Sequence, residues 1–545
     1  MKLSVLAASL CLAFAGAVVA DDEKIVDLNL SVIGQYQTGV FDDGAAEIVA
    51  HDRRSQRLFA INASKNTVDV LDINDPTNPL LMGTIDATAL GGGANSVAVH
   101  KGLVAVAIEA EDKQAPGVVA FYDAVDLNLI DTVPVGSLPD MVIFTHNGKH
   151  LLVANEGEPN DDYTVDPEGS ISIIDLKHGV SHAKVRTADF TRFNAKADEL
   201  KAQGIRIFGP NASVAQDLEP EYITVSKNSK RAWVSLQEAN ALALVDIRRA
   251  RVMKLLPLGT KDHSLPENAL DVSNRDDMIN IASWPIKGMY QPDAITSYKF
   301  RGRTFIVTAN EGDSRDYDGF SEEERVGDLV LDDTAFPNAA SLQKNENLGR
   351  LKITTVDGDS DGDGDYDEIY SYGARSFSIR NARGKLVYDS GDDFERITAA
   401  LLPDDFNSNN DENDSADSRS DDKGPEPEGV TVGKIEDRTF AFVGLERVGG
   451  IMVYDITNPH RVRFVQYLNN RDFTVDAQLP DDSTNPLVGD LGPEGIAFIS
   501  EDDSPVESPL LVVGNEVSGT TTIYAIDVVE DEDEDEDKDD SEDKK

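Results

Sequence analysis

The sequence predicts an all-β fold, a seven-bladed β-propeller with long acidic loop insertions. Three observations carry this. One pattern recurs seven times: an acidic or amide opener, an apolar strand, a turn, a second apolar strand, and a polar Asn/Gln/Glu exit. The apolar runs are short and rich in β-branched and aromatic residues, which suit a pleated, half-buried surface. Helical periodicity is scarce, and residues 195–203 (AKADELKAQ) are the one good candidate.

Each segment follows in order. Residues 1–20 read as a secretory signal peptide, with Lys2 before an apolar run and Val18-x-Ala20 at the cleavage point. A membrane helix is the alternative, but the run is short and meets Asp21-Asp22-Glu23 at once. Cys11, the only cysteine, lies inside it. The mature chain would then hold together through its core, and through metal, without disulfides. Residues 21–529 read as a single domain. Residues 28–36 precede the first opener and are placed to complete the last blade's sheet, covering both edge strands. The first three openers, Glu47, Asn95 and Asp140, fall about 45 residues apart, the period of WD40-like blades. Later gaps are longer, which implies insertions near 157–218, 312–348 and 398–427. Residues 374–379 with 385–388 lack opener and exit. They read as an extra hairpin on the fifth blade, with an eighth blade as the alternative. Residues 530–545 form an acidic run that repels itself and is expected to be a disordered, solvated tail.

The repeat also places the acids. The first two strands of a blade are antiparallel neighbours, so the start of one lies beside the end of the other. The openers Glu47, Asn95, Asp140, Glu221, Asp293, Glu428 and Glu494 therefore share a face with the exit residues Glu109, Glu156, Glu238, Glu311, Glu446 and Glu516. The first strand of a blade is innermost, so the openers crowd the channel mouth. Such crowding costs repulsion and raises carboxyl pKa values. A hard cation relieves it, and calcium accepts about six to eight oxygen ligands. Taken singly, each opener could instead cap its strand and each exit acid be solvated. Taken as a ring, they predict one or more divalent cations, Ca2+ first and another divalent metal as the alternative.

One local motif is more specific. Asp357, Asp359, Asp361, Gly362 and Glu368 match positions one, three, five, six and twelve of a calcium loop, with Asp363 and Asp365 between them. Gly364 stands where an apolar residue is usual, and residues 351–356 and 369–372 read as strands where helices usually flank. The alternative is a solvated acidic turn. Residues 404–428 are also acidic but lack the glycine and the spacing, and read as a flexible insertion.

Charge narrows the partners. The chain has 545 residues, 100 Asp+Glu, 50 Lys+Arg and a net charge of −50, which repels nucleic acid and anionic membrane. After residue 20 no segment approaches the roughly 18 apolar residues that a span needs. No GxSxG, HExxH, Walker or dinucleotide motif occurs, and the eight His are scattered. No catalytic residue is assigned. Arg315, Arg325 and Arg447 are candidate anion-binding groups beside the acids, though each has carboxylates to pair with.

The stretches ANEGEPNDDY (154–163), ANEGDSRDYDGF (309–320), DGDGDYDEIYSYGARSFSI (361–379), LVYDSGDDFE (386–395) and GPEPEGVTVG (424–433) resemble the choice-of-anchor I family of secreted bacterial proteins. That family is related to the mesenchyme-specific cell-surface glycoproteins of echinoderms, linked to biomineral formation, and some members are called alkaline phosphatases. The resemblance covers nearly all of residues 25–528. It implies a secreted propeller associated with calcium, with phosphatase activity in some members. Members often end in a surface-anchoring signal, whereas this chain ends in an acidic tail. The resulting expectation is a secreted calcium-binding scaffold that presents a cation-loaded face to a mineral, extracellular polymer or protein. The alternative is a metal-dependent phosphoesterase acting on phosphate esters, with Glu156, Glu311 and nearby acids holding the ions. The lack of a committed nucleophile or base favours binding.

Overall fold

The computed structural model describes residues 26–529. The expected signal peptide and acidic tail lie outside the described residues. Seven four-stranded antiparallel sheets follow one another along the chain, spanning residues 49–86, 93–137, 139–189, 223–257, 295–389, 427–468 and 493–529. The seventh takes its fourth strand from the start of the chain. Asp27–Gln37 pairs antiparallel with Thr520–Val529, from Asp27 opposite Val529 to Gln37 opposite Thr520. The expectation for residues 28–36 is met.

Sheets pack face to face in sequence order. One apolar cluster fills each gap, including Phe59, Val104 and Val106 between the first and second sheets. A further cluster, with Val49, Leu58, Leu510 and Val512, joins the seventh sheet to the first. The first strands of consecutive sheets are also neighbours in space, and Pro493–Ile499 of the seventh lies beside Val49–Asp52 of the first. With a neighbour on both faces, middle strands have no solvent side. His150–Asn155 and Leu510–Asn515 are buried at every position, which is why they read as unbroken apolar runs.

The insertions differ from their expected bounds. Ser170–Asp175 and Lys184–Asp189, inside the expected 157–218 insertion, are the outer strands of the third sheet. The hairpin at 374–388 is not extra. Ser376–Asn381 and Leu386–Asp389 are the outer half of the fifth sheet, and no eighth four-stranded sheet occurs among the described residues. The excursion expected at 312–348 runs on to the hairpin. With residues 260–289 it builds a small core of its own around Leu270, Val326, Leu348 and Ile369. The candidate helix appears as Thr191–Lys196 and Ala197–Lys201. A longer helix, Asp393–Leu401, was not expected.

Candidate metal centre

Openers and exits meet as the repeat requires. In the first, fourth and fifth sheets, Glu47, Glu221 and Asp293 stand two residues before the first strand. In the other four, the register breaks across the opener, at Ala94/Ser96, Pro139/Val142, Pro427/Val430 and Pro493/Ile496. A bulge of this kind re-aims the side chain it carries. The exits are set by an Asn-Glu-Gly device, seen at 155–157 and 310–312. Asn155 donates to Ser170 Oγ at 3.1 Å and Ser172 Oγ at 3.0 Å, and Asn310 donates to Ser378 Oγ at 2.8 Å. Both asparagines are fully buried and fix the strand end. Gly157 and Gly312 then turn the chain outward at φ +75 and +95, a left-handed conformation that favours glycine. Glu156 and Glu311 sit between anchor and turn.

The acids converge. Ligand oxygens of Asp293, Glu311 and Glu428 lie within 4.8 Å of one another, and so do those of Glu311, Glu426 and Glu446. Glu221 and Glu238 are 6% and 7% exposed, and each keeps a buried Oε2 with no hydrogen-bond donor. Glu428 and Glu494 have the same orphan oxygen. Burial, then the charges of Glu516 and Asp140, pushes Glu47 up to about 8. Burial, then Glu158 and Glu109, takes Asp140 to about 6. Glu516 is pushed up to about 7, first by burial, against the pull of Arg447. Glu156, Glu221, Asp293, Glu428, Glu446 and Glu494 are all driven well above the usual range, by burial first and then by neighbouring carboxylates. Below the acids, Tyr222 touches a cavity of about 370 Å³ lined by the first strands of the first three sheets. Burial raises its phenol, followed by Asp293, Glu494, Asp140 and Glu428, acids from four different sheets.

Part of this ring carries its own cations. Lys423 reaches Glu311 Oε1 at 2.7 Å and Glu426 Oε2 at 3.1 Å. Arg447 contacts Glu426 and Glu446, each at 3.0 Å. Burial opposes ionisation of Glu426, but Lys423, Arg447 and Arg419 hold its carboxyl well below the usual range. Lys423 belongs to the stretch expected to be flexible. That stretch is tied down instead: Arg375 donates to the carbonyls of Ser420 and Asp422 at 2.8 and 2.7 Å, and Arg471 to those of Asn409 and Glu412 at 2.7 and 2.8 Å. Asp140, Glu156, Glu221 and Glu238 have no lysine or arginine paired with them among the described residues, but they are not among the acids whose oxygens converge within 4.8 Å.

The calcium-like loop at 357–368 closes differently from its expectation. Asp357 accepts from Arg206 Nε at 2.7 Å, and Glu368 is held by Lys287 and the Tyr370 hydroxyl, so positions one and twelve are each engaged with partners from outside the twelve residues. Asp359, Asp361 and Asp367 come within 4.8 Å instead, as do Asp332, Asp365 and Asp367. Asp359 accepts from the amides of Gly362 and Gly364 at 2.7 and 3.1 Å, and Asp363 from the amide of Asp365 at 3.2 Å. Gly362 makes the turn at φ +79, as its place in the motif requires. Strands do flank the loop: Lys352–Thr354 and Tyr370–Ser371.

The three candidate anion-binding arginines are all engaged. Arg315 is buried against Asp217 and Glu219, reaching the latter at 2.8 Å. Phe208 lies between Arg315 and Arg206, at 4.5 and 4.2 Å from their guanidinium carbons. Arg325 pairs with Asp421 at 2.5 Å, and Arg447 with the ring acids above. Sequence reasoning missed Glu158, Glu219, Asp313, Lys423 and Glu426. Glu158 and Asp313 did carry a signal, since both follow an exit acid as Glu-Gly-acid.

Fold and site together define an all-β protein with a buried polycarboxylate centre at one end of its sheets. The model of the choice-of-anchor I domain matches residues 47–459, most of the chain, and the chain belongs to that family. It is 33% identical over 191 residues to Gigasin-3a of Magallana gigas, covering 34% of this chain and 67% of that protein. It is 25% identical over 382 residues to the mesenchyme-specific cell surface glycoprotein of Strongylocentrotus purpuratus, covering 62% of this chain and 48% of that protein. The chain thus spans about half the length of the sea-urchin relative. Among solved structures, the β-propeller domain of Myceliophteria thermophila Cps50 (Swd1) aligns over 91% of this chain and 99% of its own, with TM-score 0.42 and 9% identity. Kuenenia stuttgartiensis hydrazine synthase aligns over 90% and 96%, with TM-score 0.44 and 12% identity.

Proposed function

We propose that the chain is a secreted, seven-bladed β-propeller that works by binding, through an acidic face loaded with divalent cations, calcium first. Seven sheets with an apolar cluster in every gap, the last gap between the seventh and the first, support a closed ring. No helix among the described residues is long and apolar enough to cross a membrane, and the sea-urchin relative is a cell surface protein by name. Both are compatible with an extracellular setting.

The observation that carries the reading is the convergence of Asp293, Glu311 and Glu428 in a ring whose Glu221, Glu238, Glu428 and Glu494 keep donorless oxygens. Leaving such groups buried and charged costs several kcal/mol. They would hold the ion through oxygen, and the ion would offer its remaining positions to carboxylate or phosphate groups of a mineral, polymer or protein. Isothermal titration with calcium and elemental analysis of the purified protein test this. Neither bound metal nor calcium heat would end it. A phosphoesterase on the same face needs an arginine free to meet the ester, and Arg447, beside the ring, is held by Glu426 and Glu446. Hydrolysis of a chromogenic phosphate ester should therefore not respond to calcium. Calcium-dependent turnover abolished by Glu311→Gln would favour the enzyme.

A further inference from the structure

The face opposite the acidic ring is built from the turns that join the first and second strands of each sheet and from those that join the third and fourth. In the first five sheets every first-to-second turn is cationic, carrying Arg54, Lys101, Lys149, Lys230 and Arg301 in order, while those of the sixth and seventh carry acids, Glu436 and Asp437, then Glu501, Asp502 and Asp503. Between the fourth and fifth sheets these turns open on a cavity of about 800 Å³. Lys230 and Arg231 line it from one sheet, Arg303 and Arg383 from the other. No Asp or Glu lines it. Asp246, opposite Arg231 in the strand register, pairs with Arg249 at 3.3 Å. Among the described residues none of the four cations is paired with a carboxylate. A chain with twice as many acids as bases has thus left four exposed bases around one cavity.

The floor of the cavity narrows the ligand. Trp233 and Phe305 line it but are 1% and 5% exposed, and Trp233 Nε1 is committed to the carbonyl of Ala382 at 3.2 Å. The one exposed ring in the lining is His460, edge-on to Phe305 at 6.4 Å between centroids. What remains is positive charge on long, mobile stems, which suits a run of carboxylates that needs no fixed shape.

We infer that this cavity binds the chain's own acidic segment, Glu530–Asp537. The strand Thr520–Val529 starts beside Asn515, at the acidic face, and ends at the opposite face. Glu530–Asp537, eight consecutive acids, follow Val529. About 16 residues can reach at most on the order of 50 Å. A tethered segment acts at an effective concentration near the millimolar range.

The probe is a fluorescent peptide of sequence EDEDEDED, read by anisotropy. It is added to the full chain and to a full-length variant with residues 530–537 changed to Gln and Asn. Binding to the variant should weaken at least about fivefold from about 50 to about 300 mM salt. It should fall about tenfold or more in Arg231→Ala/Arg303→Ala/Arg383→Ala, exposed positions whose loss leaves the melting temperature in place. Tighter binding to the neutralised tail than to the parent assigns the site to the chain's own tail. Equal binding would show that the tail does not occupy the site and would overturn the inference. No binding to either protein, binding indifferent to the triple substitution, or binding of a sulfated polysaccharide where the peptide fails would overturn the inference.

Discussion

Glu428 and Glu221 differ from ordinary surface acids in one respect: each has a buried carboxylate oxygen that nothing donates to. A neutral isostere should then have opposite effects on the two forms of the protein. Glu428→Gln removes repulsion and should raise the melting temperature of the metal-free chain. It also removes a ligand of the Asp293–Glu311–Glu428 set, and calorimetry should show calcium affinity down about tenfold, roughly 1.4 kcal/mol. The pH dependence follows from the same groups. The carboxyls of Asp140, Glu516 and Glu47 are pushed up to about 6, 7 and 8, so the native chain binds more protons than the unfolded one. Their contribution to stability is complete below the ordinary carboxylate range and is lost as pH rises through about 6 to 8. In chelator, the melting temperature should fall across that window, and saturating calcium should flatten the slope. A metal-free chain equally stable at pH 6 and pH 8 would contradict this. The openers were legible because they recur in a fixed frame, most of them directly after proline. Lys423 and Glu426 were not, because they arrive from an insertion whose path no repeat describes.

At the scale of elements, the strand Asp27–Gln37 and the insertion clamps bear the load. Leu30 is 2% exposed in a cluster with Phe440, Val453 and Leu511, far away in sequence. Leu30→Ala should cost about 2–5 kcal/mol, read as a drop in denaturation midpoint, if the first strand closes the last sheet. Arg315→Met would leave Asp217 and Glu219 buried without a counter-charge and should cost about 3–5 kcal/mol. In the loop at 357–368, Asp361→Asn should weaken ion binding while Asp357→Asn should loosen only the tie to Arg206. Equal effects on calcium would return Asp357 to the ligand set. Middle strands were legible because both faces are covered and most of their residues are apolar. Outer strands were not: Lys184–Asp189 buries one residue of six, so it reads as loop, and the insertion bounds slipped accordingly. The helix Asp393–Leu401 hid behind its acidic start, although Phe394, Ile397 and Leu401 keep helical spacing.

For the whole molecule, a net charge of −50 conceals a polarity. Carboxylates gather at one end of the sheets, while at the other a group of exposed lysine and arginine side chains lines one cavity free of acids. The central claim concerns the acidic end, and equilibrium dialysis against calcium tests it most directly. The parent chain, the double variant Asp293→Asn/Glu428→Gln and the loop variant Asp359→Asn/Asp361→Asn are compared for bound ion per chain. The account predicts that the ring variant loses calcium that the loop variant keeps. A ring variant that retains as much calcium as the parent would contradict it.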